Sequence, residues 1–143
     1  MDYHYSVKTS LTYDKALERI TESLKNQGFG IITTIDVTDT FKQKLDVSFR
    51  KYRILGACNP EFAYRALTMD SHLGVMLPCN VTVQEHENGG VEVSAVNPFG
   101  TLDLKTFPHL KELADEVSRK LRAAVDDLHT KQFRKEHAEA LPD

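Results

Sequence analysis

The chain has no excess of positive charge, no long apolar run and almost no cysteine, and each shortage removes a class of function. Eighteen Lys and Arg stand against 21 Asp and Glu, a formal charge of −3 with pI near 6.1. No basic field exists to hold phosphates, so nucleic acid is not an expected partner. No stretch approaches the roughly 18 apolar residues of a membrane span, and Met1-Asp2-Tyr3-His4-Tyr5-Ser6 has neither the basic opening nor the apolar run of a leader. A cytoplasmic protein without membrane contact is expected. The chain also lacks C-x-x-C, H-E-x-x-H, a Gly-rich phosphate loop and a P-loop, the usual signatures of thioredoxin-like redox chemistry, zinc peptidases and nucleotide binding. It shows no internal repeat and no low-complexity segment.

What is present is a chain of 143 residues, 41% apolar and 27% charged, long enough to bury a core without disulfides or a structural metal. Residues 3 to 9 alternate, with Tyr3, Tyr5 and Val7 on one side, the period of a half-buried strand. Thr12 is placed to cap a helix whose apolar positions Ala16, Leu17, Ile20 and Leu24 recur at helical spacing until Gly28. Phe29 to Ile35 is β-branched and predicts a strand, followed by a polar connector in which Phe41 and Leu45 suggest one or two helical turns. Lys51 to Ala57 is a third strand, and Asn59-Pro60 predicts a cap with proline in the first turn of a helix running to about Met69. Asn80 to His86 and Val91 to Val96 alternate around Glu87-Asn88-Gly89-Gly90, a hairpin signal.

The last element is the plainest. Leu110, Leu113, Ala114, Val117, Leu121, Ala124, Val125 and Leu128 form one apolar stripe, expected to cover the sheet rather than to form a coiled-coil seam. From 129 to 143 the chain is charged and poor in apolar residues, so residues 1–128 are expected to form one domain and 129–143 a fraying tail. The element order and the hairpin predict an α+β fold, a mainly antiparallel sheet of about five strands with helices on one face.

The chemistry worth following sits in two short runs, Gly56-Ala57-Cys58-Asn59-Pro60 and Leu77-Pro78-Cys79-Asn80-Val81, which hold the only two cysteines, each followed by asparagine. If the strands bearing them are antiparallel neighbours, Cys58 and Cys79 share one end of the sheet; if parallel, a joint site collapses. In a reducing compartment free thiols or a transient bridge are favoured over a permanent disulfide. Cys58 lies just ahead of a helix N-terminus, where unpaired N–H groups and the dipole favour a thiolate. Cysteine is also among the most buried residue types, and capping alone explains Asn59 and Pro60. Asn80 opens a strand, where its amide has a turn or loop to bond.

Around these runs, His72 lies between the cysteines and is the one histidine of six that suggests a soft-metal site with Cys58 and Cys79, or a base for a thiol. Arg50, Lys51 and Arg53 lead into the first run and offer an anion site or a means of lowering a thiol pKa; the plainer role is a solvated strand face paired with Asp46 or Glu61. Tyr52, Tyr64 and Met76 read as core.

On the stretch Asp46-Val47-Ser48-Phe49-Arg50-Lys51-Tyr52-Arg53-Ile54-Leu55-Gly56-Ala57-Cys58-Asn59-Pro60, on Leu77-Pro78-Cys79-Asn80-Val81 and on Ser94-Ala95-Val96-Asn97-Pro98, the chain resembles the family called domain of unknown function 302, over about residues 5 to 128. The resemblance implies a small α+β fold of the TATA-binding-protein-like class, often a homodimer, with members beside sulfur and redox functions. It implies no particular reaction or cofactor, and Cys58 and Cys79 carry over only as matching motif positions. Three readings stay open. The first is binding of a small molecule, soft metal or sulfur species around Cys58, Asn59, Cys79, Asn80, Arg53 and His72. The second is a thiol-dependent enzyme of redox or sulfur-transfer type, with Cys58 as nucleophile and Cys79 as resolving thiol. The third is a structural or self-association module using the long helix stripe or an open sheet edge.

Overall fold

A computed structural model describes residues 2–101, 103–105 and 107–140. Five strands, β1 (His4–Thr9), β2 (Gly30–Asp36), β3 (Tyr52–Cys58), β4 (Cys79–Glu85) and β5 (Val91–Val96), form one sheet in the order β1-β5-β4-β3-β2. Every pairing is antiparallel. The helices are α1 (Tyr13–Asn26), α2 (Val37–Leu45), α3 (Pro60–Met69), the short α4 (Pro98–Thr101) and α5 (Lys111–Ala140), with a 3-10 segment at Ser71–Met76 between α3 and β4. The α+β architecture predicted from alternation and the hairpin is the one observed.

Local chemistry explains most of these boundaries. The Thr12 hydroxyl accepts from Lys15 N–H and opens α1, while Gly28 at φ +88° closes the turn after it. Asp36 caps α2 through Asp39 N–H. In the β4–β5 hairpin Gly89 takes φ +87°, a conformation side chains resist, and His86 N–H donates to the Gly90 carbonyl.

One face of the sheet carries the core. Val7, Leu55, Ala57, Val81, Val83, Val91, Val93 and Ala95 point toward α1 and α5, and the whole α5 stripe predicted from Leu110 to Leu128 is buried. The stripe therefore covers the sheet and is not free for self-association. Ser23 on α1 donates to the Ala124 carbonyl on α5 at 2.8 Å, and the Tyr5 hydroxyl on β1 donates to Asp126, tying α5 to both neighbours. The opposite sheet face is polar across β1, β5 and β4, where Ser6, Ser94 and Thr82 lie in one row with the two serine hydroxyls 2.6 Å apart, and the row continues into Ile54 on β3 and Ile35 on β2.

Several details depart from the sequence pattern. The connector after β2 is a full helix, and none of its residues is buried. The helix α5 is 30 residues long and ends at Ala140; residues 141–143 and the side chains of 130–140, on which the expected tail falls, lie outside the described residues. Tyr64 and Met76, expected in the core, are 75% and 42% exposed.

Candidate functional site

Both cysteine runs converge at one end of the sheet because β3 and β4 are antiparallel. Ala57 is the register partner of Cys79, so Cys58 is one residue beyond the partner of Cys79. The runs also touch through residues other than the cysteines. Gly56 has no room for a side chain: a Cβ there would run into Thr33 and come within 2.8 Å of the Pro78 ring, so the first run's glycine is what lets the second run's proline lie against the sheet. The Leu77–Pro78 peptide is cis.

Asn59 performs the capping role its position predicts. Its side-chain oxygen accepts from Phe62 N–H at 3.2 Å, with Pro60 in the first turn of α3. Its amide nitrogen lies against Gly28, where a Cβ would approach it to 2.8 Å. The α1–β2 corner is thereby fastened to the start of α3, and Phe29, just past that corner, packs on Phe62 with ring centroids 6.3 Å apart.

Between this sheet end, α3, the 3-10 segment and the first half of α5 lies a cavity of about 340 Å³. Its wall includes Cys58, Asn59 and Cys79, and otherwise is built of carbon-rich side chains: Phe29, Phe62, Leu73, Met76, Leu77, Pro78, Leu110, Leu113 and Val117 among them. Among the described residues no Asp, Glu, Lys, Arg or His lines it. The ion pair Arg65–Glu116, 3.3 Å, joins α3 to α5, and the guanidinium of Arg65 and the Lys120 ammonium both lie within 6 Å of the Phe62 ring centroid. Phe62 thus has cations beside it while its ring forms part of an uncharged chamber.

Both cysteines are free and partly buried. Burial pushes the Cys79 thiol up to about 11, with the nearness of Cys58 adding to the shift. Cys79 is accordingly a neutral thiol at physiological pH.

The remaining sequence candidates are not drawn into this site. His72 lies on the 3-10 segment with its side chain 93% exposed, its Nδ1 3.3 Å from Asp70, and it is absent from the cavity wall that its neighbour Leu73 helps form. Among the described residues no three His, Cys, Asp or Glu side chains are grouped to hold a metal ion. Arg53 is at the far end of β3, five residues and so about 16 Å from Cys58. It pairs with Asp36 at 3.2 Å, not with Asp46 or Glu61, and its Nε is buried without a hydrogen-bond partner. Arg50 stacks on Phe49 and donates to Gln84. Asn80 is exposed opposite Gly56, outside the cavity wall. Arg50 and Arg53 therefore have partners of their own, away from the cysteine end of β3. What sequence reasoning missed is the chamber itself, whose only linear signal is the apolar run from Leu73 to Leu77 beside a helix.

The five-stranded antiparallel sheet with this arrangement of helices defines a small α+β domain, and a cavity with both cysteines in its wall lies at one end of the sheet. Over residues 5–128 the chain matches the profile of the domain of unknown function DUF302, and it belongs to that family. It is also similar to the crystal structure of an uncharacterized conserved DUF302 protein from Bacillus stearothermophilus, with 32% sequence identity and a TM-score of 0.83 over 90% of this chain and 99% of that one. Among curated proteins none matches.

Proposed function

We propose that this domain binds a small molecule or sulfur species in the cavity at the Cys58/Cys79 end of the sheet, with Cys58 as the thiol that meets it. One observation carries this reading: both motif cysteines, far apart in sequence, stand in the wall of a single chamber of about 340 Å³, a size within the range of small-molecule sites. A cytoplasmic setting with reduced thiols is part of the same reading. A soft metal would have to be held by the two thiols alone, since His72 points into solvent beside Asp70. A thiol-transfer enzyme is the weaker alternative, because a resolving thiol must attack as thiolate and Cys79 is held protonated.

The reading is tested on the full chain by intact mass and elemental analysis as purified, and by iodoacetamide labelling of Cys58. A bound small molecule or sulfur species that leaves on denaturation or reduction, and labelling slowed at least fivefold by some member of a panel of glutathione persulfide, glutathione and the neutral dye prodan, are expected. A bare chain whose Cys58 labels at one rate whatever is added overturns the proposal, and Cys58→Ser serves as the control for labelling at Cys79.

A homodimer is a second reading with its own support. Ile32 and Ile35 on the edge strand β2 are 61% and 49% exposed, and Leu45 and Val47 at the end of α2 are 66% and 44% exposed. An apolar edge of this kind is one that proteins usually cover. Sedimentation of the chain and of Ile35→Asp decides it: a dimer that dissociates in the variant supports the reading, and a monomeric parent removes it.

A further inference from the structure

We infer that the ligand of the cysteine cavity is uncharged and predominantly apolar, about the size of a two-ring aromatic or an equivalent branched hydrocarbon. The inference rests on the cavity being a ligand site and adds the chemical class. Size comes first. A cavity of roughly 150 Å³ lined by aliphatic and aromatic side chains accepts benzene, and this one, at about 340 Å³, has about twice that volume.

Charge is decided by the wall. Phe29, Phe62, Met76, Leu113 and Val117 offer no hydrogen-bond donor, and among the described residues the wall contains no ionisable side chain other than the two cysteines. A carboxylate or ammonium taken into such a space would lose its hydration with nothing to replace it. The nearest ion pair, Arg65–Glu116, is already satisfied internally, and its two members are not part of the wall.

The polar groups that do reach the chamber define what little polarity the ligand can carry. Asn59 is committed to the α3 cap through its oxygen. The Cys79 thiol is neutral and a weak donor, and its sulfur and the thioether sulfur of Met76 are soft, polarisable contacts. Sulfur on one wall and aromatic rings on another suit a polarisable ring system or a thioether better than a sugar, nucleotide or amino acid.

The experiment titrates the full chain with prodan, a neutral two-ring dye whose emission shifts to the blue in apolar surroundings. Naphthalene-2-methanol, 2-naphthoate and 2-naphthylmethylamine then compete at pH 7.5. The expected result is a blue-shifted complex displaced by the neutral alcohol at concentrations at least tenfold lower than by the anion or the cation. Ala63→Phe, which adds a ring at a half-buried wall position, is expected to abolish the blue shift while leaving the far-ultraviolet circular dichroism of the parent. Should Ala63→Phe fail to fold, Ala114→Leu is used in its place, with at least a tenfold weakening expected.

Equal competition by the charged naphthalenes, or unchanged dye binding in a folded cavity-filling variant, overturns the inference. Protection of Cys58 from iodoacetamide by glutathione persulfide or glutathione, with no binding of any neutral naphthalene, also overturns it while leaving the ligand site itself standing. Absence of both dye binding and protection removes the site and the inference together.

Discussion

The two halves of α5 meet very different neighbours. From Leu121 to Leu128 the helix lies against α1 and the sheet, and Leu121, Ala124, Val125 and Leu128 are sealed at 0 to 1% exposure beside Ile20 and Leu24. From Leu110 to Val117 the same stripe continues without a break, yet its partner α3 stands away from it, joined by the Arg65–Glu116 pair, with the cysteine cavity between. Identical apolar patterning has produced a closed core at one end and a chamber at the other. The difference lies in the partner: α1 brings Ala16, Ile20 and Leu24 to the contact, whereas α3 gives the cavity wall one large side chain, Phe62, and the small Ala63 and Ala66. Packing side chains that are too small to meet leave a space that an apolar ligand can fill.

Deleting equal bulk from the two halves gives the largest single losses expected. Leu121→Ala removes a fully buried side chain from a region that cannot collapse, and about 3 to 4 kcal/mol of stability should be lost. Leu113→Ala enlarges a cavity that already exists, so its side chain gives up fewer contacts and the loss should be about 2 kcal/mol. Urea unfolding of both variants measures this. Equal losses would mean that the cavity wall is packed as tightly as the core and that the contrast is illusory.

Adding bulk should be tolerated in one half and not in the other. Ala124, at 0% exposure, has no space around it, and Ala124→Leu is expected to cost about 2 kcal/mol through overpacking. Ala114 is also buried, but it lines the chamber, and Ala114→Leu should be neutral or stabilising by up to about 1 kcal/mol. Thermal and urea unfolding of this pair sharpen the comparison, because opposite signs at two alanines of one helix leave little room for an explanation by helix propensity. A destabilised Ala114→Leu would place the empty volume elsewhere than beside α5.

This contrast also marks what was legible beforehand. The α5 stripe, the Asn59-Pro60 cap and the Gly89-Gly90 hairpin could be read because each depends on residues within a turn or two of one another. The convergence of Cys58 and Cys79 was conditional on one topological fact, the antiparallel pairing of β3 with β4, and the pairing satisfies it. The chamber was not legible, because it arises from what α3 and α5 fail to bring together, and no periodicity encodes a gap. Arg53 was misplaced for a simpler reason: it is near Cys58 in sequence, but an extended strand carries it to the opposite end of the sheet. Met76 and Tyr64 were read as core from their chemistry alone, although the 3-10 segment and the outer side of α3 leave them at the surface. The motif's own architecture, Gly56 making room for Pro78, depends on strand register and so became visible only in three dimensions.

A last expected effect isolates the buried thiol of Cys79 at the cavity end, and it comes from alkaline pH. Burial raises the folded-state pKa of Cys79 to about 11, whereas an unfolded cysteine titrates near 8.5. Below pH 8.5 both states hold the proton and the stability is unaffected. As pH rises from there to about 11, the unfolded chain releases its proton while the folded chain retains it, so the unfolded state is favoured and up to roughly 2 to 3 kcal/mol is lost. Tyr5 and Tyr13 are raised as well and contribute in the same direction. Cys79→Val is the control that removes the thiol and leaves both tyrosines. Urea midpoints of the parent should therefore fall more steeply than those of Cys79→Val between pH 8.5 and 10.5, and the difference is the Cys79 contribution. Parallel curves would show that water reaches Cys79 as freely as it reaches the surface, and the chamber would then be an open cleft rather than an apolar enclosure.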